Sequence, residues 1–342
     1  MTDATSIVLA SRPKGTPSQD NFRQETHALP APGDGEILVR VIWLSLDPYM
    51  RGRMDDAKSY AAPVELDAVM EGGVVGEVLE SRAEGLAVGD IVTGSLGWTT
   101  HAVARADAVR KIDDPVAPLS TYLGVLGMPG LTAWVGLNKV IEMQQGETVL
   151  ISAATGAVGG LAGQLAKAKG LRAVGVAGGA DKCAFATDTL GYDACLDHRA
   201  TDAATLRDQI GKAAPDGIDG YFENVGGKTL EAVLPNMAMN GRIAVCGMIA
   251  WYNGKGIDEA MPLPAVWRTI LTQRLRVQGF LAPDHFHRFP EFIGEVGPLV
   301  RDGRIAVRED VAEGLDSAPG KFLEMLEGGN FGKTLVWVGD DP

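Results

Sequence analysis

Glu147-Thr-Val-Leu-Ile-Ser-Ala-Ala-Thr-Gly-Ala-Val-Gly159 is the stretch that decides the fold of this chain. An apolar strand runs into a turn of very small residues, and residues 160–170 continue it as a helix whose small side chains let it lie close to a sheet. A strand, a tight turn and a helix in this order direct backbone N–H groups at the positive end of the helix toward a pyrophosphate. The stretch therefore predicts a dinucleotide site in which Gly156, Ala157 and Val158 contribute those N–H groups.

The turn departs from the G-x-G-x-x-G pattern, because Ala154 stands where that pattern has its first glycine. Small residues also allow a helix to pack on a sheet, so a tight strand-to-helix connection without a ligand is the alternative interpretation. The residues that follow the turn decide between the two.

Strands and helices alternate from about residue 148 to residue 280, as a parallel sheet requires. We expect helices after Gly156, from Asp181 and over residues 203–212. Six strands with intervening helices predict a doubly wound Rossmann sheet. The predicted strands are residues 149–152, 172–177, 194–197, 218–223, 242–246 and 276–279.

The chain before this region consists of short β-rich pieces, at residues 36–41, 73–79 and 90–94, which Gly, Pro and Asp interrupt. Short strands separated by turn residues are typical of a small antiparallel barrel. The sequence thus predicts an α/β protein with a β-rich domain followed by a Rossmann domain. The expected domains are residues 1–125, residues 126–305 and a C-terminal segment, residues 306–342.

Composition restricts the partners and the location. Acidic residues number 44 against 31 basic ones, and the net charge of -13 disfavours binding to nucleic acid or to an anionic membrane surface. No apolar stretch approaches the ~20 residues of a membrane span. The first twelve residues contain an early acid instead of a secretory signal. Cys183, Cys195 and Cys246 are odd in number and lie in the predicted nucleotide-binding half, which argues against a disulfide framework, so we expect a cytoplasmic protein.

The end of the second predicted strand indicates which nicotinamide cofactor binds. An acid at this point of a Rossmann unit binds the adenosine ribose and repels a 2′-phosphate. Here the strand ends in Gly178-Gly-Ala-Asp-Lys182, with no acid at its tip and a lysine shortly after. This pattern predicts NADPH, and we interpret Asp181 as the N-cap of the next helix.

Two further segments follow strand ends where ligands bind in open α/β folds. Asn224 follows the fourth strand in Tyr221-Phe-Glu-Asn-Val-Gly-Gly227, and Cys246-Gly-Met-Ile-Ala-Trp-Tyr-Asn253 follows the fifth. We expect Asn224 to contact the ribose or the pyrophosphate. Turn formation is the alternative role of these Asn and Gly residues.

On these residues the chain resembles zinc-free members of the medium-chain dehydrogenase/reductase superfamily, in the branch of NADPH-dependent alkenal/one oxidoreductases and prostaglandin reductases. The resemblance implies a GroES-like catalytic domain that the C-terminal segment rejoins, a cleft between the domains, and a homodimer formed through the edge of the Rossmann sheet near residues 276–279. It also implies NADPH as hydride donor and an α,β-unsaturated carbonyl substrate whose carbon–carbon double bond is reduced. Further motifs that carry the resemblance are Leu46-Asp-Pro-Tyr-Met-Arg-Gly-Arg53, Gly127-Met-Pro-Gly-Leu-Thr-Ala133, Gln278-Gly-Phe280 and Gly329-Asn-Phe-Gly-Lys-Thr334.

The same resemblance assigns cofactor contacts along the chain. It adds Gly159 to the pyrophosphate site and places Lys182 at the 2′-phosphate, beside His198, which stands where the family usually has a tyrosine. A surface position is the alternative for His198. The remaining implied contacts are Asn224, Cys246 and Gly247 through their backbone, Tyr252, Phe280, Leu281, Ala282 and Asn330.

No metal site is expected. Zinc needs several Cys, His or acidic ligands, and Met70-Glu71-Gly72-Gly73 has no histidine where zinc-dependent relatives carry Gly-His-Glu. Hydrogen-bond donors must then stabilise the enolate oxygen, and Tyr252 and Tyr49 are the candidate catalytic residues, with water as an alternative proton source. The rival functions are a quinone oxidoreductase with the same cofactor and a non-catalytic NADPH-binding protein.

Overall fold

The computed structural model of the protein describes residues 2–341, which form two compact units. One unit contains the chain up to Leu123 together with the residues from Glu309 onward, and the other is Gly124–Arg308. The first unit is rich in β-strands and the second contains a parallel sheet with helices, so the predicted α/β fold class is confirmed. No helix formed by residues 2–341 has both the length and the apolar character of a membrane span.

The β-rich unit contains the helices α1 (Met50–Arg53) and α9 (Ala318–Leu326). Its strands are β1 (Asp3–Leu9), β2 (Phe22–Ala28), β3 (Glu36–Ser45), β4 (Gly73–Ser81), β5 (Ile91–Ser95), β6 (His101–Arg105), β7 (Val109–Lys111), β14 (Glu309–Glu313) and β15 (Lys333–Trp337). Strands β1 and β2 form an antiparallel pair, and the other strands of this unit form, among the described residues, a seven-stranded sheet. The sheet has the order β14-β15-β3-β4-β5-β7, and β6 pairs with β3.

Aromatic side chains fill the core of this unit. Phe22 stacks on Trp98 with 5.6 Å between ring centroids, and Phe322 of α9 meets the Trp98 ring edge-on at 5.5 Å. Aromatic contacts of this geometry stabilise a core beyond the burial of their area. The C-terminal strand β15 pairs antiparallel with β3, in register Leu335 to Ser45. The C-terminal segment therefore belongs to the same sheet as the N-terminal strands.

The second unit is a Rossmann fold. All six predicted strands are present, as β8 (Thr148–Ser152), β9 (Arg172–Ala177), β10 (Ala194–Asp197), β11 (Ile218–Glu223), β12 (Met237–Val245) and β13 (Arg276–Gly279). They form a parallel sheet with the order β10-β9-β8-β11-β12-β13 in the part of the chain that the structure describes. The helices are α2 (Met128–Val135), α3 (Ala157–Ala168), α4 (Ala180–Asp188), α5 (Ala203–Ala213), α6 (Gly227–Val233), α7 (Leu263–Gln273) and α8 (Phe289–Arg301).

The strand order reverses between β8 and β11, because β9 and β10 lie on one side of β8 while β12 and β13 lie beyond β11. Ligands of open α/β sheets bind outside the carboxyl ends of the strands at such a reversal. The reversal places the turn after β8 and the residues after β11 at one edge of the sheet.

One predicted local feature is wrong. The N-cap of α4 is Gly179 and not Asp181, which lies in the first turn of the helix. Gly179 has φ 107°, a backbone conformation that only glycine adopts at little cost, and its N–H donates to the Asp197 carboxylate at 2.8 Å. An acid in the first turn still favours the helix through the dipole.

Candidate functional site

The turn between β8 and α3 is held by a close approach of backbone to backbone. A Cβ atom added to Gly159 would lie 2.3 Å from the Ala153 carbonyl oxygen, so only glycine fits there. Ala153 itself has φ 51°, a left-handed conformation that costs roughly 1–3 kcal/mol for a residue with a side chain. The strain and the missing Cβ together let α3 begin directly above the end of β8.

The alanine that replaces the first glycine of the motif has a packing role. Ala154 is fully buried, and its Cβ lies 2.8 Å from the position that a Cβ on Gly175 of β9 would take. A small residue at each of the two positions lets the turn lie against the neighbouring strand. Because the left-handed conformation falls on Ala153, Ala154 needs no glycine.

The N-terminus of α3 has the properties of an anion site. Its N-cap is Gly156, so no side chain caps the helix, and the first N–H groups of an α-helix have no partner within the helix. Gly156, Ala157 and Val158 are partly exposed, whereas Gly159 is buried against the turn. The N–H of Gly156 donates to the Ala153 carbonyl at 2.9 Å, so the predicted contribution of this N–H group to the pyrophosphate site is wrong. Ala157 and Val158 remain the candidates to offer N–H groups to an anion, and Gly159 has a packing role.

Basic side chains gather at the tip of β9. A Cβ on Gly178 would lie 2.9 Å from Nε of Arg199 and 3.0 Å from Nε2 of His198, so both side chains lie against this glycine. Lys182 in the first turn of α4 acts on the His198 imidazole as a neighbouring positive charge. Lys228 donates from Nζ to the backbone carbonyls of His198 and, at 2.7 Å, of Thr201. Sequence reasoning missed Lys228, although it directly follows the Asn-Val-Gly-Gly segment that was singled out.

The protonation of His198 is set by this environment. Burial and the nearby Lys228 and Arg199 charges lower the pKa of the His198 imidazole. The carboxylate of the neighbouring Asp197 binds backbone groups, since its Oδ1 accepts from the N–H groups of Gly179 at 2.8 Å and Arg199 at 2.9 Å. A phosphate beside His198 would act in the opposite direction on the pKa of the imidazole, because a negative charge favours the charged form.

The ends of β8 and β11 are joined by polar side chains. Asn224 donates from Nδ2 to the Ser152 carbonyl at 2.8 Å, and its N–H donates to the Ser152 hydroxyl at 2.8 Å. These bonds show that Asn224 helps to form the turn after β11, which was the alternative to a cofactor contact. The turn lies at the same edge of the sheet as the phosphate turn. Its predicted cofactor contact stays a prediction.

Glu223 is a buried acid that sequence reasoning did not identify. Its side chain is 2 % exposed, and Oε1 accepts from the Ser152 hydroxyl at 3.0 Å and from the N–H groups of Val225 at 2.6 Å and Gly226 at 3.0 Å. Burial raises the pKa of this carboxyl despite those bonds. Glu223 therefore organises the loop that carries Asn224.

The loop after β12 offers carbonyls rather than N–H groups. The N–H groups of Cys246 and Gly247 both donate to the Glu223 carbonyl, at 2.9 and 3.1 Å. A backbone contact from these two residues to a cofactor must then use their carbonyl oxygens. Burial raises the pKa of the Cys246 thiol to about 12, which makes it a poor nucleophile.

Tyr252 lies in the loop after β12 and makes a hydrogen bond within it. Its hydroxyl accepts from the Met248 N–H at 3.3 Å and lies 3.2 Å from the position of a Cβ on Gly247. After β13, the half-buried Phe280 packs edge-on against Phe222 at 6.1 Å, and Leu281 and Ala282 follow it, also half-buried. The predicted contacts after β11, β12 and β13 thus share one edge of the sheet.

In the β-rich unit, Tyr49 precedes α1 and is half-buried beside Arg53, whose guanidinium lies 5.8 Å from the Tyr49 ring and 4.2 Å from the Tyr60 ring. Burial, followed by the Asp47 and Glu71 carboxylates, raises the pKa of the Tyr49 phenol far above its ordinary value. The phenol therefore keeps its proton and can donate a hydrogen bond.

Two other residues of this unit were singled out in the sequence. Glu71 accepts from Nε of Arg53 at 2.7 Å, which gives it an ion-pairing role. Asn330 donates from Nδ2 to the Gly332 carbonyl at 3.1 Å, a turn contact that leaves its cofactor role a prediction. Within residues 2–341, no three His, Cys, Asp or Glu side chains are grouped so as to hold a metal ion.

Comparison with known proteins gives two family matches. Residues 5–112 match a family model described as the N-terminal domain of oxidoreductase, and residues 157–296 match one described as zinc-binding dehydrogenase. Among curated proteins, the chain is 48% identical over 337 residues to NADPH-dependent curcumin reductase of Escherichia coli, covering 98% of this chain and 97% of that protein. It is 39% identical over 337 residues to the NADP(+)-dependent 2-alkenal reductase of Nicotiana tabacum, covering 97% and 96%.

Two solved structures resemble this chain over almost its whole length. The crystal structure of CurA from Vibrio vulnificus in complex with NADPH has a TM-score of 0.93 and 43% identity, covering 98% of this chain and all of that one. The quinone oxidoreductase of Escherichia coli in complex with NADPH has a TM-score of 0.77 at 21% identity, over 97% and 99% of the two chains, and shares the fold. The chain belongs to the medium-chain dehydrogenase/reductase superfamily, in its zinc-free branch of NADPH-dependent alkenal/one oxidoreductases and prostaglandin reductases.

Proposed function

We propose that the protein reduces the carbon–carbon double bond of α,β-unsaturated aldehydes or ketones with NADPH. The observation that carries the proposal is the group of basic side chains, Lys182, His198, Arg199 and Lys228, at the tip of β9, one strand away from an uncapped helix N-terminus. The NADPH-dependent curcumin reductase and the NADP(+)-dependent 2-alkenal reductase, whose names give the cofactor and the substrate, support it.

The residues of the Rossmann unit fit the cofactor. Ala157 and Val158 offer N–H groups for the pyrophosphate, and the basic side chains at β9 suit the 2′-phosphate. Carbonyl oxygens of Cys246 and Gly247 can accept from an amide. When bound, NADPH supplies a hydride for the β-carbon of the substrate.

The two tyrosines supply the hydrogen bonds that the reaction needs. Negative charge grows on the carbonyl oxygen as the β-carbon is reduced, and a phenol that donates to this oxygen stabilises the transition state. Tyr49 holds its proton firmly, so it suits donation of a hydrogen bond better than transfer of a proton. Tyr252 and water are the candidates for the proton that reaches the α-carbon.

The test is turnover. Purified protein is mixed with NADPH and a 2-alkenal or another enone, and the loss of nicotinamide absorbance is followed with product analysis for the saturated carbonyl. We expect reduction with NADPH at a higher kcat/KM than with NADH. No turnover across a broad enone panel would reject the reductase function.

Two rival functions have distinct outcomes in the same assay. A quinone oxidoreductase would turn over quinones at a higher kcat/KM than any enone, and the structures of that class resemble this one at 21% identity. A non-catalytic binding protein would take up NADPH tightly and transfer hydride to no acceptor.

We also propose a homodimer through the edge strand β13. Helix α7, which packs against the neighbouring strand β12, has no buried residue, and its apolar side chains Leu263, Trp267 and Leu271 are 63%, 61% and 77% exposed. Side chains four residues apart share one helix face, so these three form an apolar stripe that a second copy would cover. Trp267→Glu should yield monomers in sedimentation, while Val88→Glu, at an equally exposed apolar residue, should leave the dimer intact.

We place the protein in the cytoplasm. The three cysteines are free thiols, which suits a reducing compartment. Fractionation of the source cells followed by immunoblotting tests this assignment, and recovery in a secreted fraction would contradict it.

A further inference from the structure

Two of the three thiols meet beside the tip of β9. Cys183 lies in the first turn of α4, and Cys195 lies on β10, the edge strand that α4 packs against. The Cys195 thiol donates to the Cys183 sulfur across a distance of 3.2 Å. A disulfide has an S–S length of about 2.05 Å, so a relative movement of roughly 1.2 Å would bring the sulfurs to bonding distance.

A glycine in the neighbouring strand makes room for this pair. Cys195 is the register partner of Gly175 in β9, and a Cβ on Gly175 would lie 3.2 Å from the Cys195 sulfur. A larger residue at 175 would press on Cys195. The meeting of the thiols therefore depends on the same glycine that accommodates Ala154 of the phosphate turn.

The two thiols differ in acidity. The hydrogen bond from Cys195 lowers the pKa of Cys183, and the start of a helix favours a thiolate. The same hydrogen bond and burial raise the pKa of Cys195. Both residues are half-buried, so a small oxidant can reach Cys183. Cys195 lies beside it and can act as the resolving thiol, which attacks the oxidised sulfur.

We propose that Cys183 and Cys195 form a reversible disulfide when the protein meets a hydroperoxide. The Cys183 thiolate attacks one peroxide oxygen and the O–O bond breaks, which gives a sulfenic acid and, with hydrogen peroxide, one water. The Cys195 sulfur then attacks the Cys183 sulfur, and the S–O bond breaks to release a second water. Two thiols lose two electrons and two protons, and the peroxide gains them.

The consequence for the cofactor rests on the proposed NADPH function. Lys182 precedes Cys183 in the chain, and His198 and Arg199 follow the strand that carries Cys195. A disulfide that draws α4 toward β10 moves these basic groups relative to one another. The oxidised protein therefore binds NADPH more weakly, while NADH, which lacks the 2′-phosphate, is less affected.

The first part of the test needs no cofactor. The full-length protein is treated with hydrogen peroxide, and its free thiols and intact mass are measured before and after addition of dithiothreitol. We expect the thiols to fall from three to one, with the loss of two hydrogen atoms and full reversal. Peptide mapping should join Cys183 to Cys195, and in the Cys246→Ser variant the thiols should fall from two to none.

Two variants act as controls for the link. Cys183→Ser and Cys195→Ser should form no intramolecular disulfide under the same treatment. A protein that keeps its three thiols, or one whose disulfide includes Cys246, would overturn the proposal. Thiol counts and intact mass do not depend on enzymatic activity, so these measurements test the disulfide even if the protein is not a reductase.

The second part measures cofactor affinity of the reduced and oxidised forms by calorimetry. Oxidation should raise the Kd for NADPH by about fivefold, or about 1 kcal/mol, and dithiothreitol should restore it. An unchanged Kd for NADPH in fully oxidised protein would overturn the link to the cofactor site. Absence of NADPH binding in the reduced protein would instead reject the proposed function.

Discussion

The Rossmann unit and the β-rich unit place their candidate groups in different ways. In the Rossmann unit, the pyrophosphate site consists of backbone N–H groups that a missing Cβ at Gly159 makes possible. In the β-rich unit, Tyr49 is held by side chains, with Arg53 between its ring and the Glu71 carboxylate. A backbone site tolerates changes of side chain but not of shape, whereas a side-chain site depends on its chemical groups.

The sharpest way to break this comparison is a change of shape without a change of charge. Gly159→Ala adds a Cβ 2.3 Å from the Ala153 carbonyl oxygen, and the turn must move. We expect NADPH affinity to fall roughly 100-fold, or about 2.7 kcal/mol, in calorimetry. Gly160→Ala is the matched control, because its Cβ would meet only the Leu190 side chain at 3.8 Å. Equal affinities of the two variants would contradict the backbone account.

The next largest effect should come from the two phenols. Tyr252→Phe and Tyr49→Phe each remove one hydroxyl and keep the ring, so we expect kcat for enone reduction to fall by roughly 10- to 100-fold with little change in KM. Circular dichroism and urea unfolding serve as controls for folding. Steady-state kinetics that match the wild type would remove that tyrosine from the mechanism.

Charge at the tip of β9 should have a smaller and more selective effect. Lys182→Ala removes one basic group near the proposed 2′-phosphate, and we expect the Kd for NADPH to rise by about tenfold while the Kd for NADH changes by less than about twofold. Lys212→Ala, an exposed lysine near the end of α5, is the control for net charge. If both cofactors weaken equally in Lys182→Ala, the 2′-phosphate assignment is wrong.

The smallest effect concerns the stability of the loop that Glu223 organises. Its pKa is raised in the folded state, so between the ordinary carboxyl pKa and the raised value the unfolded chain is ionised while the folded protein keeps its proton. The free energy of unfolding then falls as pH rises through this window, by at most about 1.4 kcal/mol per pH unit. Urea unfolding of Glu223→Gln should show a flatter pH dependence than the wild type, and parallel curves would refute the raised pKa.

Much of the Rossmann unit could be predicted from the sequence because its signals are local. Buried strands such as residues 149–152 are continuous apolar runs, and the turn at Gly156 has a fixed spacing. The N-cap of α4 was predicted wrongly because Asp181 is a good capping residue in general. The actual N-cap, Gly179, donates its N–H to Asp197 at the end of β10, a contact that the local sequence does not show.

Other parts depend on contacts that the sequence does not show. Glu223 looks like an ordinary strand residue until the fold buries it beside Ser152. The strand β14 and the helix α7 were not predicted. The strand β14 is largely polar, whereas α7 has apolar residues at helical spacing that the sequence analysis did not use. The meeting of Cys183 with Cys195 likewise requires the pairing of β9 with β10.

Selection of NADPH by the backbone turn after β8 and the basic groups at the tip of β9 can be measured by calorimetric titration of the wild-type protein with NADPH and with NADH. We expect saturable binding of NADPH that is at least about tenfold tighter than that of NADH. No detectable NADPH binding, or equal affinity for both nucleotides, would show that these groups do not form an NADPH site.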